Sequence, residues 1–178
     1  MRARLLVLGL LGLILTTGAR ADVSIEYAVK AAYLPKFIPF ITWPDKAFDL
    51  PTAPVTICVV GADPFGGKLE QAVGELKAGD RAIVVRHLST PDVSVSCQLV
   101  FLGPSDPAIT EGTLDAMKDK PVVTVTDSGL KARGVISFLI DANHVRFDID
   151  NAAATRNGIV ISSKLLSLAH AVKQRSQP

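Results

Sequence analysis

The run GVISFLIDANHVRFDIDNAAATRNGIVISSKLLSLA, residues 134–169, is the most patterned part of the chain. Ile136, Phe138 and Ile140 alternate with Ser137 and Leu139, and Val145, Phe147 and Ile149 alternate with Arg146, Asp148 and Asp150. A period of two reads as two half-buried strands. Asp141, Ala142 and Asn143 between them form a short polar link that tolerates turn geometry, so an antiparallel hairpin is expected, its register set by the apolar face. Asn151 offers an N-cap to the Ala-rich run 152–156, and Asn157-Gly158 supplies a stop in which glycine adopts a left-handed conformation cheaply. That predicts a helix of about two turns. After the apolar run 159–161, Ser162 or Ser163 can cap a last helix with Leu165, Leu166, Leu168, Ala169 and Val172 pointing largely inward. The polar end, 173–178, is expected to fray.

Upstream, the chain alternates element types. Residues 55–60 read as a strand, 68–73 as a helix, 81–88 and 99–102 as strands. Asp106 as cap and Pro107 at the first helical position open a helix to about Lys118, anchored by Leu114 and Met117. Residues 121–126 return as a Val- and Thr-rich strand that Asp127-Ser128-Gly129 ends. This rhythm predicts an α/β fold: a single-domain layered sheet flanked by helices, with a C-terminal β-hairpin and closing helices. Further upstream, Asp22 or Ser24 can cap a first helix with Ile25, Val29, Ala32 and Phe37 on one face. Pro35 removes a helical hydrogen bond, so that helix is expected to end or kink near Leu34. Phe37, Phe40 and Trp43 read as core.

Arg2 and Arg4 precede an apolar run over 5–15, and Ala19-Arg20-Ala21 places small residues where a signal peptidase reads them. Residues 1–21 are therefore expected to be a cleaved signal peptide, leaving a domain over 22–178. The apolar run falls short of the roughly 18 residues a membrane anchor needs. Losing Arg2, Arg4 and Arg20 takes three of the 19 basic residues and leaves 16 against 17 acidic ones, a net of −1. A near-neutral domain with interspersed charges has no electrostatic footprint for nucleic acid or an anionic membrane. Its two cysteines, Cys58 and Cys97, are bound for an oxidising compartment, where a pair is bridged more often than free; two separate buried thiols are the alternative.

Catalytic patterns are weak. GADPFGG, 61–67, lies between a strand and a helix where α/β proteins hold phosphates, but it fits neither the P-loop register nor the Gly-x-Gly start of a dinucleotide fingerprint. It reads as a tight turn. His87, His144 and His170 belong to no metal-ligand spacing, so neither a metal nor another cofactor is expected. Asp148 and Asp150 share a strand face and could form a carboxylate pair, yet solvated alternation and helix-terminus placement account for them. Ser162 and Ser163 lack a nucleophile-elbow pattern. Asp127, at a strand end where crevices form, is the acid hardest to dismiss.

The segment VRFDIDNAAATRNGIVISSKLLSLA, 145–169, resembles the signature of the YfiR family of periplasmic regulators. The likeness extends to EYAVKAAYLPKFIPFITWP (26–44), ICVVGADPFGGKLEQAV (57–73) and CQLVFLG (97–103), nearly the whole mature chain, with a departure at Pro35. The resemblance implies a bridge between Cys58 and Cys97. It implies no enzyme. It also implies a periplasmic protein that represses an inner-membrane diguanylate cyclase by contacting the periplasmic portion of that enzyme. Release would follow envelope or redox change, often through a sequestering outer-membrane lipoprotein, and a homodimer is compatible with the role. The partner-binding surface is not legible. The alternative is a periplasmic small-molecule-binding protein using the crevice near 61–67 and Asp127.

Overall fold

In the computed structural model, which describes residues 18–92 and 94–174, the chain opens with α1 (Gly18–Phe37). A 3-10 turn at Ile38–Phe40 then leads into β1 (Ile41–Thr42). Next come β2 (Val55–Val60), α2 (Lys68–Val73), β3 (Lys77–Ala78), β4 (Arg81–Leu88), β5 (Leu99–Leu102) and α3 (Pro107–Ala116). The C-terminal half holds β6 (Val123–Thr126), β7 (Ile136–Asp141), β8 (His144–Asp150), α4 (Asn151–Arg156), β9 (Val160–Ile161), α5 (Ser163–Leu168) and β10 (Ala171–Lys173).

Eight strands form one sheet in the order β10-β8-β7-β6-β5-β2-β4-β3. From β4 through β7 the pairings are parallel, and the sheet grows first to one side of β2 and then to the other. A central strand of such a sheet is covered on both faces, and every residue of β2 is buried. Val55, Ile57 and Val59 enter the larger core with Leu34, Phe37 and Leu69. Cys58 and Val60 enter a smaller one with Val100, Leu102 and Met117. The fold is thus mixed α/β with helices flanking the sheet, as the alternation of elements predicts. No helix among the described residues is long and apolar enough to cross a membrane.

The hairpin forms in the expected register. Phe138 pairs with Phe147 and Ile136 with Ile149, both pairs in the core, while Ala142 and Asn143 take the positive φ values that turn the chain. Phe37 of α1 packs edge-on to Phe147, centroids 5.0 Å apart, a contact that contributes about 0.5–1.5 kcal/mol beyond the area it buries. Gly134, just before β7, approaches β6 so closely that an added Cβ would lie 2.6 Å from the Thr124 carbonyl oxygen.

Several local expectations are corrected. The first helix begins at Gly18, before Asp22, and continues through Pro35 to Phe37. Pro35 leaves the Ala31 carbonyl without its helical donor, but its fixed φ is itself helical and the chain keeps the helical path for two further residues. Its inward face is Lys30, Ala31, Leu34 and Phe37, whereas Ile25 and Val29 are exposed. The cap of α4 is Asp150, whose Oδ1 accepts from the Ala153 N–H at 2.8 Å, and Asn151 is the first helical residue. The last helix ends at Leu168, with Leu165 buried and Leu168 exposed. Val172 belongs to the edge strand β10, which runs parallel to β8. Of the expected signal peptide, residues 1–17 lie outside the described residues and 18–21 are the first turn of α1. Residues 175–178 of the expected frayed end also lie outside them.

Candidate functional site

Helix α1 lies across the sheet. Its middle turns bring Glu26, Tyr27 and Lys30 to the carboxyl end of β6, while Trp43, beyond its C-terminal end, donates from Nε1 to the Gln98 carbonyl beside the amino end of β5, 3.0 Å away. At the β6 end sits a buried polar cluster. Lys30 is 0% exposed, and its ammonium is paired with the carboxylates of Glu26 and Asp127 and donates to Ser128 Oγ at 2.9 Å. The Tyr27 hydroxyl donates to the other Asp127 oxygen at 2.7 Å, and Ser128 Oγ donates to Glu26 at 3.1 Å. Burial, then the bond to Asp127, pushes the Tyr27 phenol well above its ordinary pKa.

A buried ammonium is tolerable when each of its protons has a partner, and Lys30 has three. Asp127, the acid that strand-end position singles out, therefore has both oxygens engaged. It borders a crevice of about 300 Å³ lined also by Tyr27, Pro104, Ser105, Ser128 and Leu130. This arrangement holds α1 to the β6–β7 connection. It does not present a nucleophile with a base beside it. Lys30 escaped the sequence reading, but a signal was available: it lies four residues before Leu34 and seven before Phe37, so a helix face that buries both must bury a lysine too.

The other candidates separate. The 61–67 turn is plugged by Phe65, which is 0% exposed and whose N–H is taken by Asp63 Oδ1 at 2.8 Å. Gly61 and Gly67 there adopt φ of 84° and 82°, which favour glycine. His87 Nε2 lies 2.6 Å from Glu70 Oε1, and this bond outweighs burial to hold the Glu70 carboxyl below its usual range. His144 bonds to the Ala142 carbonyl. Asp148 meets His170 at 3.1 Å, whereas Asp150 caps α4 and meets Lys173 at 3.0 Å, so the two acids have different partners. Ser162 caps α5. Among the described residues no three His, Cys, Asp or Glu side chains are placed to share a metal ion. Cys58 and Cys97 are bonded to each other in the smaller core.

A second feature is a groove of mixed polarity that gathers exposed aliphatic side chains. Between α1 and the β7–β8 hairpin runs a groove of about 490 Å³ lined by Ile25, Glu26, Val29, Tyr33, Ile140 and Val145, with Asn143 and His144 at the hairpin. It continues along the outside of α1 over Ala28, Ala32 and Lys36. Ile25, Val29 and Ile140 are 64%, 38% and 44% exposed, three large aliphatic side chains gathered at one place.

Compared with protein-family models, residues 27–170 match one family, described as YfiR/HmsC-like. No curated protein matches the chain.

Proposed function

The chain belongs to the YfiR/HmsC-like family, and from that premise we propose that it is a periplasmic, non-catalytic regulator that binds the periplasmic portion of an inner-membrane diguanylate cyclase and represses it, lowering cyclic di-GMP. The family match carries this reading, because it runs from residue 27, within α1, through the whole eight-stranded sheet but its β10 edge strand, and through the closing helices. Export through a signal peptide over 1–21 and a mature domain over 22–178 belong to the same proposal, as does release when an outer-membrane lipoprotein sequesters the protein. Repression requires only that the regulator bind one conformation of the cyclase better than the other; equal affinity for both would shift nothing. The engaged state of Lys30, Asp127, Asp148 and Asp150 agrees with a role in which no side chain need react. A small-ligand role in the Asp127 crevice has less support, since Tyr27 and Lys30 already occupy that carboxylate.

The test is intracellular cyclic di-GMP after deletion, with the signal-bearing form restored in one arm and a leaderless form in another. A rise on deletion that only the exported form reverses supports periplasmic repression. No change in any arm, with the cyclase expressed, refutes it.

A further inference from the structure

We propose that the cleft between α3, α4 and the entry to β7 binds a phosphate monoester group, whether on a small soluble molecule or on a lipid headgroup. The proposal stands apart from the regulatory reading and rests on this cleft alone. Lys118, Arg133 and Arg156 line a depression of about 250 Å³ in which Asp115 is the one acid among the lining residues. Three positive charges against one negative leave +2 there, whereas residues 22–178 as a whole carry 16 against 17, or −1. None of the three cations has an ion-pair partner among the described residues. The carboxyl ends of α3 and α4 favour one cation each, which accounts for Lys118 and Arg156. Arg133 lies at no helix end. It adds a third like charge to the other two, at a cost that an anion from outside the chain would offset.

The cleft is built as well as charged. Each cation sits one residue before a position that buried polar groups hold. After Arg156 comes Asn157, whose Oδ1 accepts from the Asp119 N–H at 3.1 Å and whose Nδ2 donates to the Val122 carbonyl at 3.0 Å. Lys118 precedes that same Asp119. Arg133 precedes Gly134, whose N–H donates to Thr126 Oγ1 at 3.2 Å, and the Val135 N–H then donates to Thr124 Oγ1 at 3.0 Å. Both threonines are buried in β6. The loop after α3, the end of α4 and the entry to β7 are thereby pinned together, so the backbone carrying the cations is in place before a ligand arrives. Two guanidinium forks each match a pair of oxygens, and the lysine adds a compact charge. A phosphate monoester offers two charges and oxygens enough for both forks; a single carboxylate offers one charge and one pair. The small volume seats the phosphate itself, and whatever carries it lies outside the cleft.

Titration of the exported protein with glycerol 3-phosphate, followed by amide NMR shifts, tests the soluble source. Flotation with phosphatidylcholine vesicles, with and without phosphatidic acid, tests the headgroup. Saturable shifts centred on Gly134 and Asn157 are expected, with a dissociation constant on the order of a millimolar that rises with salt. Arg133→Gln with Arg156→Gln, both at exposed positions, should weaken binding at least tenfold with no change in melting temperature. Lys118→Gln, exposed on the loop, should weaken it as an independent single change, whereas Lys46→Gln, an exposed cation outside the cleft, should bind like the native protein. Binding in the vesicle arm alone supports the proposal and assigns the group to a headgroup; binding in the titration supports it with a soluble carrier. The proposal is overturned by no saturable binding in either arm, by an Arg133→Gln/Arg156→Gln protein that binds like the native one, or by an equal loss in Lys46→Gln.

Discussion

At the scale of single residues, Lys30 does more than any other polar side chain described here to place α1. Its ammonium lies 4.7 Å from the centre of the Tyr27 ring and 5.9 Å from that of Phe138, and it neutralises carboxylates from two distant parts of the chain. Lys30→Met keeps most of the volume but leaves Asp127 buried and charged, which should cost about 3–5 kcal/mol. Lys30→Met with Asp127→Leu removes both charges and should recover most of that loss. Chemical denaturation of the two variants checks the pair; equal stability in Lys30→Met and the native protein would mean the cluster is not closed in solution. None of this follows from charge patterning. The sequence shows Glu26 and Lys30 four apart, the spacing of an ordinary solvated helix pair, and only the sheet behind them turns it into a buried one.

At the scale of elements, most of the alternation can be read directly from the residues, because β2, α2, β4 and β5 are bounded by Gly, Pro and polar turns that leave little freedom. What fails is what depends on neighbours. Hydrophobicity groups Ile25, Val29, Ala32 and Phe37 on one face of α1, yet two apolar rows share that helix, and packing of Phe37 against Phe138 and Phe147 buries the row of Phe37 and leaves Ile25 and Val29 exposed. Likewise, both Asp150 and Asn151 are good caps, and the choice fell to Asp150 because β8 runs through it to its last rung. Burial opposes the charge on Asp150, but the Ala153 N–H and Lys173 overcome it and hold the pKa below the ordinary carboxylate range. A depressed carboxylate pKa stabilises the fold above the unfolded value and stops doing so as pH falls through the folded one. Asp150→Ala should therefore cost about 1 kcal/mol at neutral pH. The difference from the native protein should begin to shrink near the ordinary carboxylate value, roughly pH 4, and vanish only below the depressed folded pKa. Melting curves between these limits decide it, and Asp150→Asn, which keeps a capping oxygen, should show a smaller neutral-pH loss.

At the scale of the whole molecule, the layered architecture and the core role of Phe37 and Trp43 were legible, whereas the exposed aliphatic face of α1 was not, since buried and exposed apolar residues look alike in a sequence. The Cys58–Cys97 bond links β2 to the approach to β5 across a sequence separation of 39. The chain-entropy account assigns such a loop roughly 4 kcal/mol, as an upper figure. Replacing both cysteines by alanine should lower the melting temperature to that of the reduced native protein. Identical melting of native and doubly substituted protein under oxidising conditions would show that the bond contributes nothing.

The buried pairing of Lys30 with Asp127 spans 97 positions, and the β1–β9 ladder joins Ile41 to Ile161. A chain delivered from its N-terminus therefore presents its first helix long before the acid and the closing strand that hold it exist. Its apolar and charged side chains must wait, either in a loose collapsed state or under a chaperone's cover, until the last quarter arrives. Contacts of such long range make folding slow. The domain therefore locks only once its closing strand is in place, and a truncation that removes only the C-terminal segment should release the N-terminal helix.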